Sequence, residues 1–111
     1  MTVQELMEME LFRTGNPGDD LERQITEPFC CDLLSVAMSR APEGCAWVTV
    51  MANINTLAVA SLADAACVIL AEDAALDENA AAKARQQGIT VLSTSMPVFE
   101  AALKVWQLLN P

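Results

Sequence analysis

The sequence predicts a three-layer α/β/α domain built on a mainly parallel sheet. From residue 46 onward, AWVTVMA, ACVILA and ITVLST read as strands, while NTLAVASLADA, LDENAAAKARQQ and PVFEAALKVWQLL read as helices. Three βα units in a row, joined by short loops, imply parallel strands and right-handed crossovers. The run Cys67-Val68-Ile69-Leu70 is apolar at every position, as expected of a strand covered by helices on both faces. At 111 residues the chain reads as one domain, residues 1–111, long enough for an ordinary core without disulfide or metal support.

The N-terminal part is less regular. Val3, Leu6 and Met7 recur at helical spacing and predict a helix over residues 2–9, after which Leu11 and Phe12 open a strand. The segment TGNPGDD, residues 14–20, is dense in turn formers and reads as a loop. A second strand is expected over Leu21–Cys31 and a helix over Asp32–Arg40, with Asp32 as its N-cap. Within the strand, Ile25, Phe29 and one of Cys30 and Cys31 should face the core, and Pro28 suggests an edge position. Ala41-Pro42-Glu43-Gly44 then breaks the chain.

The later helices differ in kind. Residues 55–65 are nearly all small or apolar, which suits close packing on a sheet or on a second copy. Residues 77–87 carry Asp77, Glu78, Lys83 and Arg85 and end at Gly88, a C′ glycine. The last helix has one apolar face of Phe99, Leu103 and Trp106 and another of Val98, Ala101, Val105 and Leu108. That is more apolar surface than one small sheet covers, so a homodimer is expected.

The composition excludes several classes of function. Six Lys and Arg against fifteen Asp and Glu, a net charge of -9, give no basic footprint for nucleic acid or an anionic membrane. The first residues, MTVQELMEMELF, have neither the basic nor the apolar region of a secretion signal, so the expected compartment is the cytoplasm, where cysteines stay as thiols. The uncharged stretch 45–63 is about long enough to span a bilayer, but Asn53-Ile54-Asn55-Thr56 at its middle argues for a strand and a buried helix instead. The absence of histidine removes Ser-His-Asp and Cys-His catalysis and every His-containing metal set. Four glycines, at 15, 18, 44 and 88, make neither a dinucleotide fingerprint nor a P-loop. No residue set with assignable roles in an enzyme remains, and no cofactor is expected.

Two candidates for chemistry survive. The first is a set of polar residues at the expected carboxyl ends of strands: Asn53 and Asn55, Glu72 and Asp73, then Ser93, Thr94 and Ser95. Open parallel sheets bind ligands at that edge, although each residue also suits a helix N-cap. The second is Cys30, Cys31, Cys45 and Cys67, which could serve a redox or metal (zinc or iron-sulfur) protein. Their spacing contains no C-x2-C, and adjacent strand residues point to opposite faces, so burial is the expected role of these thiols.

Arg23-Gln24-Ile25-Thr26, then Asp32-Leu33-Leu34-Ser35, Trp47-Val48-Thr49, Leu57-Ala58-Val59-Ala60-Ser61-Leu62, Gly88-Ile89 with Leu92-Ser93-Thr94, and Phe99-Glu100-Ala101-Ala102 together resemble the DRTGG domain family across nearly the whole chain. The resemblance implies a fold similar to the N-terminal domain of HPr kinase and a regulatory, non-catalytic role. Such domains accompany nucleotide-sensing CBS domains in regulated pyrophosphatases and tend to sit at dimer interfaces. It also brings Arg23 and Thr26 forward as ligand-binding candidates beside Asn53, Asn55, Ser93, Thr94 and Ser95. The chain departs from the family at Glu27-Pro28, where relatives have a Gly-Gly pair, and at Ser95 and Pro97, where many carry lysine and then serine. Both changes remove flexible amides or positive charge from an anion site. The expectation is a regulatory module that pairs with itself, senses a small ligand such as a nucleotide, or docks to a metabolic enzyme or signalling protein.

Overall fold

The computed structural model describes residues 1–111 as a compact α/β domain with five helices and one five-stranded sheet. Helix α1 (Val3–Glu8) is followed by strand β1 (Arg13–Asn16), β2 (Pro28–Cys30), α2 (Leu34–Arg40), β3 (Ala46–Thr49), α3 (Ile54–Leu62), β4 (Cys67–Leu70), α4 (Glu78–Gln87), β5 (Val91–Ser93) and α5 (Val98–Leu109). The sheet order is β1-β5-β4-β3-β2, parallel throughout except that β1 pairs antiparallel with β5.

Strand alternation divides the core into two layers. Ala46, Val48, Cys67, Ile69 and Leu92 point to the face covered by α1 and α5, where they meet Val3, Leu6, Ala101 and Val105. Trp47, Val68, Leu70 and Val91 point to the face covered by α2, α3 and α4, against Ala37, Leu57, Ala60, Ala80 and Ala84. The helix residues against β3 and β4 are mostly alanine, which lets short helices lie close to a sheet of short strands. Asn53 caps α3 through hydrogen bonds from the Asn55 and Thr56 amides, and Asp77 caps α4 by accepting from Ala80 N–H. Gly88 closes α4 in the left-handed region at φ 65°.

The N-terminal third departs from the sequence reading. The strand expected to open at Leu11 and Phe12 begins instead at Arg13 and runs into the segment read as a loop: Gly15 passes so close to Val91 that a Cβ would stand 3.2 Å from its carbonyl oxygen, and the Asn16 side-chain amide donates to Ile89 C=O. An edge strand held by such contacts needs no apolar alternation, so its sequence resembles a turn. The long strand expected over Leu21–Cys31 contracts to Pro28–Cys30. Residues 21 and 22 form a turn and Gln24 makes only an isolated bridge to Thr2, while the backbone bonds of this stretch go elsewhere: Val3 N–H to Arg23 C=O, Gln4 N–H to Leu21 C=O, and Thr26 N–H to Gly44 C=O. Ile25 is buried, Phe29 and Cys31 are half-buried, and Cys30 is exposed. Asp32 does not cap α2. The N-cap is Leu33, with no side-chain bond, and the Asp32 carboxylate instead accepts from the Thr49 hydroxyl at 2.7 Å and Val50 N–H at 3.0 Å. No helix is long and apolar enough to cross a membrane.

Candidate functional site

Parallel strands give the sheet two chemically distinct edges, and the seven candidate residues divide between them. Residues that precede a strand collect at the amino edge, and Arg23 and Thr26 are there. The Arg23 guanidinium holds both carboxylate oxygens of Asp64 and its carbonyl, each at 3.0 Å. This pairing holds the Asp64 carboxyl below the usual carboxylate range and raises the Arg23 guanidinium. The Thr26 hydroxyl donates to Glu43 C=O, and its methyl stands 2.9 Å from where a Cβ on Gly44 would be. Gly44 has φ 78°, so both space and conformation require glycine there. Arg23, Asp19, Asp20, Asp64 and Gly88 also line a cleft of about 270 Å³. It holds three carboxylates around one arginine that is already paired.

The other five candidates lie at the carboxyl edge. Asn53 is committed to capping α3, and Asn55, in its first turn, is exposed. Ser93 ends β5, opposite Leu70 on one side and Arg13 on the other. Thr94 is buried and its hydroxyl oxygen accepts from Met96 N–H, while Ser95 is exposed. Around them stand Glu72 and Asp73, expected at this edge, together with Asp32 and Arg13, which were not. Asp32 joins the turn after β2 to the end of β3. Glu72 and Asp73 both adopt left-handed backbone, at φ 58° and 59°, an uncommon conformation for residues with side chains. Their amides donate to Met96 C=O and Thr94 C=O, tying the loop after β4 to the loop after β5. Asp73 also takes Arg13 of β1 at 3.0 Å, in a pair about two-thirds exposed on each side.

This edge is therefore ordered and largely self-satisfied. Its turn and cap oxygens face backbone amides, and the positive charge of Arg13 is matched by Asp73. A phosphate-bearing ligand would have to displace these bonds. Nearby, Lys83 shares a shallow groove with Asn53 and Asp77.

The cysteines are dispersed. Cys45 belongs to the α2–α3–α4 face and Cys67 to the α1–α5 face, and burial pushes their thiols up to about 11 and about 12. Burial, and then the charge of Asp32, also raises the exposed Cys30 thiol. Cys31 donates its S–H to Leu33 C=O. No three His, Cys, Asp or Glu side chains come together as a set that could hold a metal ion.

The remaining unusual surface is apolar. Phe99, Leu103 and Trp106 are exposed on α5, whereas Ala101 and Val105 are buried. The two apolar faces read from the sequence are therefore one covered and one open. A scan against protein-family models finds no match for this chain, and a search of curated proteins finds none.

Proposed function

We propose that this chain is a non-catalytic regulatory module of the DRTGG type, acting in the cytoplasm by docking to protein rather than by a chemical step. The observation that carries the reading is the open flank of α5, which presents two aromatic side chains and a leucine to solvent on one rigid element. Exposed aromatic side chains grouped on one surface are the usual anchors of protein interfaces. Nucleotide sensing at the carboxyl edge has weaker support, since Asn53 and Thr94 are engaged in cap and turn bonds. The redox alternative is weakened by the dispersion of the four thiols over two faces and an edge.

The test is a photo-crosslinking amino acid in place of Leu103, introduced in the cells that make the protein, with a control at Leu62, an exposed residue of α3. A discrete light-dependent protein adduct from position 103 and none from position 62 is the expected result. No adduct from position 103, or the same adducts from both positions, would overturn the docking reading.

A further inference from the structure

The connections that follow the parallel strands leave the sheet toward two faces. Those after β2, β3 and β4 run into α2, α3 and α4, which cover one face, whereas the connection after β5 runs into α5 on the other. β4 and β5 are therefore the neighbouring parallel strands whose carboxyl ends send the chain in opposite directions. Open α/β sheets bind ligands in the crevice at such a point. Here the amides of Glu72 and Asp73 tie the two diverging loops together, and the space left open lies on the α4 side. It is a cavity of about 360 Å³, at the lower end of the ~300–1,000 Å³ usual for small-molecule sites.

The cavity has an apolar and a polar end. Leu70 and Val91, both buried, form its floor, with Leu76 and Ala81 beside them. Gly15 keeps it open, because a Cβ there would stand 3.9 Å from Val91 Cγ1. Arg13, Asp73 and Ser93 form the polar end. Leu70, Ser93 and Arg13 are register partners across three strands, so their side chains share one face. The bond from Arg13 to Asp73 uses one guanidinium N–H and one carboxylate oxygen, of five donors and two oxygens. Asp73 is placed by a tight turn, closed by Ala74 N–H to Ala71 C=O, whose central residues Glu72 and Asp73 are both left-handed. That backbone is unfavourable for residues with side chains, and such outliers concentrate at ligand sites.

We infer that this cavity binds a free α-amino acid with a branched aliphatic side chain. An anion alone would compete with Asp73 for Arg13, and a cation alone would compete with Arg13 for Asp73. A molecule carrying both charges on one carbon meets both partners without parting them: its carboxylate takes the remaining N–H groups of Arg13, and its ammonium takes the second oxygen of Asp73. The Ser93 hydroxyl, able to donate and to accept, serves either group. The side chain of the ligand leaves from the same carbon toward Leu70 and Val91, and the small volume with its wholly aliphatic apolar lining suits a branched chain over an aromatic ring. This site is separate from the docking flank, since α4 and α5 cover opposite faces.

The experiment is an NMR titration of the full chain, its backbone amides assigned, with leucine up to about 10 mM, a range that reaches the modest affinity of so small a ligand. Saturable shifts are expected at Ala74, Ala81 and Ser93, with isoleucine and valine acting like leucine. Isocaproate, which lacks the ammonium, and isoamylamine, which lacks the carboxylate, should each bind about tenfold or more weakly, as for a lost hydrogen bond to a charged group. Asp73→Asn keeps the turn, since asparagine tolerates left-handed backbone, but should make leucine bind no better than isocaproate. Arg13→Met should likewise erase the preference for leucine over isoamylamine. The inference is overturned if no saturable shift appears, if isocaproate or phenylalanine matches leucine on the wild-type chain, or if either variant keeps the wild-type discrimination. Shifts confined to Phe99, Leu103 and Trp106 would also overturn it, while leaving the docking reading in place.

Discussion

Replacing Asp32 with alanine removes the acceptor shared by the buried Thr49 hydroxyl and Val50 N–H. Hydrogen bonds to a charged acceptor contribute ~1.5–3 kcal/mol each when buried. Asp32 itself is exposed, so water replaces part of what is lost, and the cost for both bonds is about 2 kcal/mol. In a domain of this size that lowers Tm by roughly 10 °C. The single variant does not separate this role from helix capping, because loss of an N-cap also costs ~0.5–2 kcal/mol. The coupling does. With Thr49→Val, Asp32→Ala and the double variant compared by urea denaturation, the interaction energy should be about 1 kcal/mol, well above the ~0.3–0.5 kcal/mol scatter of independent sites. The amide of Met51, which donates to Thr49, loses its partner in both backgrounds and drops out of the cycle. Additive costs would show that the Thr49–Asp32 bond carries no energy and that the loss from Asp32→Ala comes from Val50 N–H or from α2.

Four further outcomes follow from the same geometry. Gly18→Ala would place a Cβ 2.4 Å from Gly88 C=O and 2.7 Å from Thr90 N, a clash with backbone that should cost about 2–3 kcal/mol in urea denaturation; an unchanged midpoint would contradict the close approach. A disulfide reagent at mild pH should label Cys30 first and leave Cys45 and Cys67 unlabelled until the chain unfolds, since burial holds their thiols near 11 and 12; rapid native labelling of all four would favour the redox reading. The Asp64 carboxyl lies below its ordinary value of 3.8 in the folded chain because Arg23 bonds the ionised form, so its contribution is present above that value and fades as pH falls through the lowered one. The gap in urea midpoint between wild type and Arg23→Met should therefore narrow on acidification, and a constant gap would refute the pairing. A thermal-shift screen with adenine nucleotides should leave Tm in place, whereas a ligand at about 100 times its dissociation constant adds ~2.7 kcal/mol; such a shift would return the carboxyl edge to first place as a ligand site.

The three central βα units were legible to within a few residues because their signals are local and agree with one another. A strand buried on both faces reads as an apolar run, as at Cys67–Leu70, and Asn53, Asp77 and Gly88 sit at helix ends where their side chains or backbone freedom are used. β1 and β2 were not legible in the same way. Each is an edge strand whose extent is set by contacts with distant segments, and only the fold reveals Gly15 over Val91 or Thr26 against Gly44. The division of the candidate site depends on where β2 begins, which the sequence placed at Leu21 instead of Pro28. In a parallel sheet, residues before a strand and residues after it stand at opposite edges. Arg23 and Thr26 precede β2, while Asn53, Asn55 and Ser93–Ser95 stand at or beyond the ends of β3 and β5. The expected strand over Leu21–Cys31 contained Arg23 and Thr26, so their place at the amino edge shows only once β2 contracts to Pro28–Cys30.

A helical wheel gives α5 two apolar flanks but not the choice between them. The inward flank is centred on Ala101 and Val105, small side chains that let the helix lie close to β2 and β3, as the alanines of α3 and α4 do on the other face. Turning Phe99 and Trp106 inward would lift the helix from the sheet and open the space now filled by Ala46, Val48 and Ile69. Good packing thus places the larger side chains outside, and two of the five aromatic residues in the chain face water. Folding alone does not require aromatic side chains at those positions. Polar substitutions there should spare the domain's stability while removing whatever it binds, and this separation of stability from association is what distinguishes an interface from an incompletely covered core.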